Sequence, residues 1–78
     1  MELEKQKIAD TALDNESKII LTLCNEVRDI YFICGKLNKS YPSMLQRMNI
    51  LCSLGYIHKI KRPREHKSYY LLNPQYGL

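Results

Sequence analysis

The sequence contains few residues of the types that form disulfides, interrupt helices and strands, or supply large aromatic side chains. Among its 78 residues there are three glycines, three prolines, three cysteines, one phenylalanine and no tryptophan. An odd number of cysteines, each inside an apolar stretch, argues against a disulfide framework and favours buried free thiols. No apolar run approaches the roughly 18 residues that a membrane span needs. We therefore expect one small cytoplasmic domain with a thin core, no secretory signal and no membrane contact.

Acidic residues are scarce in the second part of the chain. Residues 31–78 carry eight Lys or Arg and a single acid, Glu65, whereas residues 1–30 carry seven acids and four bases. A strongly basic half on a small domain is typical of a site that binds a polyanion. The alternative is a solvated basic surface that has no partner.

The N-terminal segment 1–15 is polar with scattered apolar positions. Residues 8, 9, 12 and 13 share one face of a helix, which allows either a helix that packs on a partner chain or a frayed arm. A first helix is predicted over 16–24, with Asn15 as its N-cap. Its predicted buried stripe consists of Ile19, Ile20 and Leu23.

Two further helices are separated by a short polar link. Asp29 is suited to cap a helix over 30–37, and Asn38 suits the left-handed residue that ends it. Ser40 is the next predicted cap, and Pro42 fits the first turn of a helix that runs from 41 to 54 and stops at Gly55. The predicted inward residues of this third helix are Tyr41, Met44, Leu45, Met48, Leu51 and Cys52.

The basic end of the chain reads as a β-hairpin. Segments 56–61 and 68–72 are predicted strands, joined by a polar turn over 62–67 that contains Pro63. Tyr70 and Leu72 are predicted to point inward, and the segment 74–78 is a short tail. The predicted fold class is therefore α+β, mainly α, with three helices and a C-terminal hairpin.

Three stretches carry a family resemblance. The segment 51–57 (LCSLGYI) and the segment 69–72 (YYLL) resemble the junction of recognition helix and wing, and the returning wing strand, of winged-helix regulators of the MarR and ArsR type. The segment 33–37 followed by Ser40 resembles their support helix and turn. The resemblance covers residues 16–73 and implies a winged helix-turn-helix domain that binds DNA, usually as a dimer. The chain lacks the long C-terminal dimerisation helix and the metal motifs of those groups, so residues 1–24 are the predicted material for a homodimer.

The third helix is the predicted recognition helix. Arg can make bidentate hydrogen bonds to guanine, and Gln or Asn to adenine, while an apolar side chain can contact a thymine methyl group. A phosphate can be bound near the helix N-terminus. The predicted DNA contacts on this helix are Tyr41, Pro42, Ser43, Gln46, Arg47, Asn49 and Ile50.

The turn and the hairpin are predicted to hold the DNA backbone. Arginines at the hairpin tip are suited to phosphates or to a narrow minor groove, where they supply affinity more than sequence choice. The predicted contacts there are Lys36, Lys39, Ser40, Lys59, Lys61, Arg62, Arg64, His66 and Lys67.

The sequence lacks the constellations that support catalysis or metal binding. We find no paired carboxylates facing a cleft, no glycine-rich phosphate loop and no Ser-His-Asp set. His58 and His66 lie on opposite arms of the hairpin, where they are able to face each other, but no metal-ligand spacing accompanies them. We expect no enzyme activity, cofactor, metal or small-molecule ligand. The expected function is sequence-specific binding of double-stranded DNA as a transcriptional repressor. The alternative is a winged-helix module that binds a protein or RNA.

Overall fold

A computed structural model describes residues 6–77. Three α-helices and a three-stranded antiparallel sheet make up most of this part of the chain, so the fold is a small α+β domain. The elements in chain order are β1 (Gln6–Lys7), α1 (Asn15–Leu23), β2 (Arg28–Asp29), α2 (Ile30–Leu37), α3 (Tyr41–Ser53), β3 (Ile57–Lys61), β4 (Ser68–Leu72) and β5 (Tyr76–Gly77). None of the helices in this described part is both long and apolar enough to cross a membrane.

Aspartate side chains start the first two helices. The Oδ1 atom of Asp29 accepts a hydrogen bond of 2.9 Å from the Phe32 amide, as the sequence predicts. For α1 the predicted cap was wrong by one residue. Asp14 is the N-cap, and it accepts a 2.8 Å hydrogen bond from the Ser17 amide, while Asn15 is already helical. Asp and Asn are both good N-caps, so the sequence alone does not decide which of Asp14 and Asn15 starts the helix, and tertiary contacts make the choice.

Left-handed residues end α2 and α3. Asn38 has φ of 54° and closes α2, with the Lys39 amide donating to the Cys34 carbonyl at 3.1 Å. Gly55 has φ of 84°, and the Tyr56 amide donates to the Leu51 carbonyl at 3.1 Å. These are the bonds of a Schellman ending, in which a residue with a positive φ turns the chain out of the helix. The two stops predicted from the sequence are confirmed.

The sheet has the order β2-β4-β3, with both neighbouring pairs antiparallel. The hairpin register pairs Ile57 with Leu72, Lys59 with Tyr70 and Lys61 with Ser68. Tyr70 and Leu72 are buried, as predicted. Strand β4 is central, the inner face of the hairpin contributes Ile57, Tyr70 and Leu72 to the core, and the turn 61–67 is exposed.

The core lies between the three helices and the sheet. It is formed by Ile8, Ile20, Leu21, Cys24, Ile30, Ile33, Met44, Met48, Leu51, Ile57, Tyr70 and Leu72. Two predicted inward positions were wrong: Ile19 is 47% exposed and Tyr41 is 42% exposed. The buried face of α1 instead follows Ser17, Ile20, Leu21 and Cys24, which is a regular helical stripe. Apolar residues surround α1 on more than one side, so periodicity alone does not select the face.

The N-terminal arm and the C-terminal tail meet. Strand β1 pairs in parallel with β5, and the Gln6 amide donates to the Gln75 carbonyl at 3.0 Å. A 3₁₀ turn over Ile8–Asp10 follows and buries Ile8. The described part of the arm is thus neither α-helical nor frayed, and the prediction for residues 1–5 lies outside the described residues.

Candidate nucleic-acid interface

The outward face of α3 is polar and open. Pro42, Ser43, Gln46, Asn49 and Ile50 are all exposed, because Met44, Met48 and Leu51 take the opposite face into the core. Within residues 6–77, no side-chain hydrogen bond engages the amides of Gln46 or Asn49. Their donors and acceptors therefore remain free to pair with the edges of bases.

The first turn of α3 carries an aromatic pair that the sequence analysis did not anticipate. Tyr41 stacks on Tyr31 of α2, with ring centroids 5.5 Å apart and planes at 23°. Tyr31 is 56% exposed, so one ring edge remains in solvent. The N-cap Ser40 makes no side-chain capping bond, and the first turn contains no acidic residue. The pair orients Tyr41 beside free backbone amides, where an anion is favoured.

Arg47 is engaged inside the protein. Its Nη1 atom donates to Asp14 Oδ2 at 2.8 Å and to Ser17 Oγ at 3.1 Å, and its Nη2 atom lies 3.8 Å from Glu16 Oε1. Hydrogen bonds from Ser17 and Arg47 lower the pKa of Asp14 to about 2, so this carboxylate is ionised at neutral pH. The structure places Arg47 on the α1 side of the helix, and a DNA contact would require these bonds to break.

The two lysines near the turn differ in their surroundings. Lys39 Nζ lies 3.7 Å from Glu16 Oε2, so it shares the carboxylate that also pairs with Arg47. Lys36 lies over the ring of Phe32, 5.4 Å from its centroid, and has no carboxylate within salt-bridge distance among the described residues. Lys36 is therefore the less neutralised of the two predicted phosphate contacts.

The hairpin turn carries several cations and one acid, Glu65. Residues 61–67 are all exposed, and none of the cations of the hairpin forms a salt bridge with another residue of the segment 6–77. The guanidinium of Arg62 lies over the ring of Tyr69, 4.1 Å from its centroid, which holds this side chain at the base of the turn. The exposed cations of the hairpin are Lys59, Lys61, Arg62, Arg64 and Lys67.

The backbone of the turn is unusual at Arg64. The Glu65 amide donates to the Arg62 carbonyl at 3.2 Å, which closes a four-residue turn with Pro63 in its second position. Arg64 occupies the third position with φ of 67°. A turn with proline second and a positive φ third favours glycine or asparagine there. A long arginine at such a position is sterically costly, and strained residues of this kind cluster at functional sites.

The two histidines do not come together. The register pairs His58 with Leu71, whereas His66 lies in the exposed turn. No group of three or more His, Cys, Asp or Glu side chains within the described residues is placed to hold a metal ion. All three cysteines are free thiols, and burial raises the pKa of Cys24 to about 12, so this thiol stays protonated.

Sequence reasoning missed the residues that hold Arg47. Asp14, Glu16 and Ser17 lie 30 or more positions away along the chain, and no local motif announces the contact. The available signal was the clustering of acids before the first helix, which complements the basic second half. Comparisons of the chain with models of protein families, with curated proteins and with solved structures found no match.

Proposed function

We propose that this chain is a winged-helix protein that binds specific sequences of double-stranded DNA in the cytoplasm and acts as a transcriptional repressor. Helix α3 is the recognition helix in this proposal and enters the major groove. The hairpin β3–β4 is the wing, and it lies on the flanking backbone or in the minor groove. Helix α2 supports α3 from behind, as the packing of Ile30 and Ile33 in the shared core requires.

The observation that carries this proposal is the set of unpaired cations on the wing. Five cations against the single acid Glu65 leave the wing with an excess of positive charge, and like charges repel one another, which costs stability unless a partner of opposite charge is bound. Arg64 adds to this argument, since it holds a positive charge at a backbone conformation that glycine would adopt more easily. A phosphate backbone is the ligand that matches an extended row of such cations.

The contacts divide into two groups. Gln46 and Asn49 are the proposed readers of bases, because their amides are exposed on the outward face of α3. Lys36 and the wing cations are the proposed phosphate contacts, which supply affinity and salt dependence. Arg47 belongs to neither group in the free protein, because its guanidinium is bound by Asp14 and Ser17.

We further propose that the chain dimerises through residues 1–24. The outer face of α1 leaves Ile19 exposed beside an open depression of about 450 Å³, lined by Asn15, Lys18, Ile19, Thr22 and Leu23. A dimer of this kind would bind two half-sites about one helical turn of DNA apart.

One observation favours a second candidate function. Ile50 of α3 is 50% exposed, and Leu54, the C-cap residue that follows this helix, is 58% exposed and lies four positions further along the chain. An apolar pair on a solvent-facing helix suits a protein partner as well as thymine methyl groups. The second candidate is therefore a winged-helix module that binds a protein through α3.

The deciding experiment is selection from a pool of random duplexes at two salt concentrations, followed by sequencing of the retained DNA. Recovery of a common motif supports the proposed function, and a palindrome also gives the dimer spacing. Retention without a motif contradicts sequence-specific recognition. A lack of retention even at low salt excludes the DNA proposal and favours the protein partner.

A matched variant separates the recognition of bases from the binding of the phosphate backbone. Gln46→Ala removes a proposed base contact without changing the net charge, so it should relax the recovered motif at one position, by about 1–3 kcal/mol per lost contact. Affinity for random-sequence duplex should stay the same. A motif that is unchanged in this variant would contradict the placement of α3 in the major groove.

A further inference from the structure

We propose that Asp14 and Glu16 limit the non-specific DNA affinity of this protein by neutralising Arg47 and Lys39 beside the recognition helix. The inference rests on the proposed function and deepens it, since it assigns a specificity-determining role to two acids that lie outside the predicted interface. They belong to the start of α1, whereas the cations they bind belong to α3 and to the link before it.

Asp14 and Glu16, together with Ser17, surround the cations of Arg47 and Lys39, and these three residues are called the clamp below. Asp14 binds Nη1 of Arg47 at 2.8 Å, and Ser17 Oγ accepts from the same nitrogen at 3.1 Å. Glu16 lies between the other two groups, 3.8 Å from Arg47 Nη2 and 3.7 Å from Lys39 Nζ. Both terminal nitrogens of the guanidinium thus have an oxygen partner inside the protein.

The clamp divides the cations of the second half into two classes. Six of its eight Lys and Arg residues have no carboxylate within salt-bridge distance in the described part of the chain. The two that are paired, Arg47 and Lys39, are on or next to the recognition helix. Neutralised cations release no counterions from DNA, so they add nothing to sequence-independent binding.

The location of the clamp explains why neutralisation there favours specificity. Phosphate contacts raise the affinity for every sequence alike, whereas contacts to base edges raise it for the operator alone. A protein whose non-specific affinity is held down keeps a higher ratio of specific to non-specific binding.

The test uses the full chain, a random-sequence duplex as the probe, and the double variant Asp14→Asn with Glu16→Gln. Asn is as good an N-cap as Asp, so the helix start is retained. Release of two cations should steepen the slope of log K against log salt by up to about 1.8 and raise affinity about ten-fold or more at 0.1 M salt. Circular dichroism checks that the variant is still folded and helical at the assay temperature, and Glu16→Gln alone, which leaves the cap intact, should give a smaller gain in the same direction.

A control with the same change in net charge separates local from global effects. Asp10→Asn with Glu26→Gln also removes two acids, but Asp10 contacts no cation in the described residues, and Glu26 pairs with Arg28 instead. This control should raise affinity much less than the clamp variant. Equal gains in the two variants would show a general charge effect and overturn the inference.

A further variant tests whether the released cations cause the gain in affinity. Adding Arg47→Ala and Lys39→Ala to the clamp variant should remove the gain, because the released cations are then absent. Persistence of the gain would overturn the inference. If the natural chain binds no duplex at low salt, the proposed function itself fails; if it binds and the clamp variant gains nothing, this inference alone fails.

Discussion

The wing and the start of α1 both carry charged side chains, but their charges have opposite surroundings. At α1, Asp14 and Glu16 face cations of the other half of the chain at distances from 2.8 to 3.8 Å. At the wing, the cations are exposed, and the guanidinium of Arg62 lies over the ring of Tyr69. One region pairs its charges inside the molecule, and the other leaves its cations without a salt bridge among the described residues.

This difference shows that net charge by segment is an incomplete guide to a binding surface. A count of residues treats all cations of the basic second half alike, but the fold pairs Arg47 and Lys39 with carboxylates and so removes them from the charge presented to a ligand. What remains is concentrated on the wing and at Lys36. The four predictions that follow test this contrast between groups that are packed or paired inside the molecule and groups that are exposed and unpaired in the described part of the chain.

The largest effect should be a loss of stability when a residue of the packed core is truncated. Ile33→Ala should lower the free energy of unfolding by about 2–5 kcal/mol, because it leaves a cavity in a core that has twelve buried apolar residues in the described part of the chain. The matched control is Ile19→Ala, which removes the same atoms from a side chain that is 47% exposed and should change stability by less than about 0.5–1 kcal/mol. Urea denaturation measures both, and equal losses would contradict the assignment of the buried face.

The next effect should appear on the wing. Replacing Arg62 and Arg64 with Ala should flatten the slope of log K against log salt by about 1.8, since two phosphate contacts are lost. Stability should change little, because neither side chain is buried. Fluorescence anisotropy over a salt series gives the slope. An unchanged slope would mean that the wing does not hold the backbone.

A smaller effect isolates the strained residue. Arg64→Gly should leave the unfolding free energy unchanged or raise it by up to about 1 kcal/mol, because glycine adopts a positive φ without steric cost. The same change should weaken DNA binding by the share of one phosphate contact. Thermal denaturation and a binding titration measure the two together, and a clear loss of stability would show that Arg64 has a structural role.

The smallest effect concerns the pH dependence of the clamp. The pKa of Asp14 is lowered from 3.8 to about 2, so its contribution to stability is fully present above pH 3.8 and is lost as the pH falls through about 2. The pair with Arg47 should therefore be intact at every pH used for DNA binding. A carboxyl NMR titration of Asp14 measures this, and a midpoint near 4 would contradict the paired geometry.

Much of the local structure was predictable because it depends on neighbours along the chain. The cap at Asp29, the left-handed ends at Asn38 and Gly55, and the strand Ser68–Leu72 all follow from residues within one or two turns. The buried face of α1 was not predictable in this way. Ile19, Ile20 and Leu21 are consecutive apolar residues, and only the position of α1 against the rest of the core decides which of them is covered.

The features of the candidate interface likewise fall into those set by local sequence and those set by tertiary packing. From the sequence came the exposed set on α3 and the cluster of cations in the hairpin, since helical periodicity and turn chemistry specify both. The capture of Arg47 by Asp14, the stacking of Tyr31 on Tyr41 and the pairing of Gln6–Lys7 with Tyr76–Gly77 were decided by the tertiary structure alone. Each of these joins different elements of the fold, and the partners of a long-range contact are chosen by how the elements pack, which no local pattern encodes.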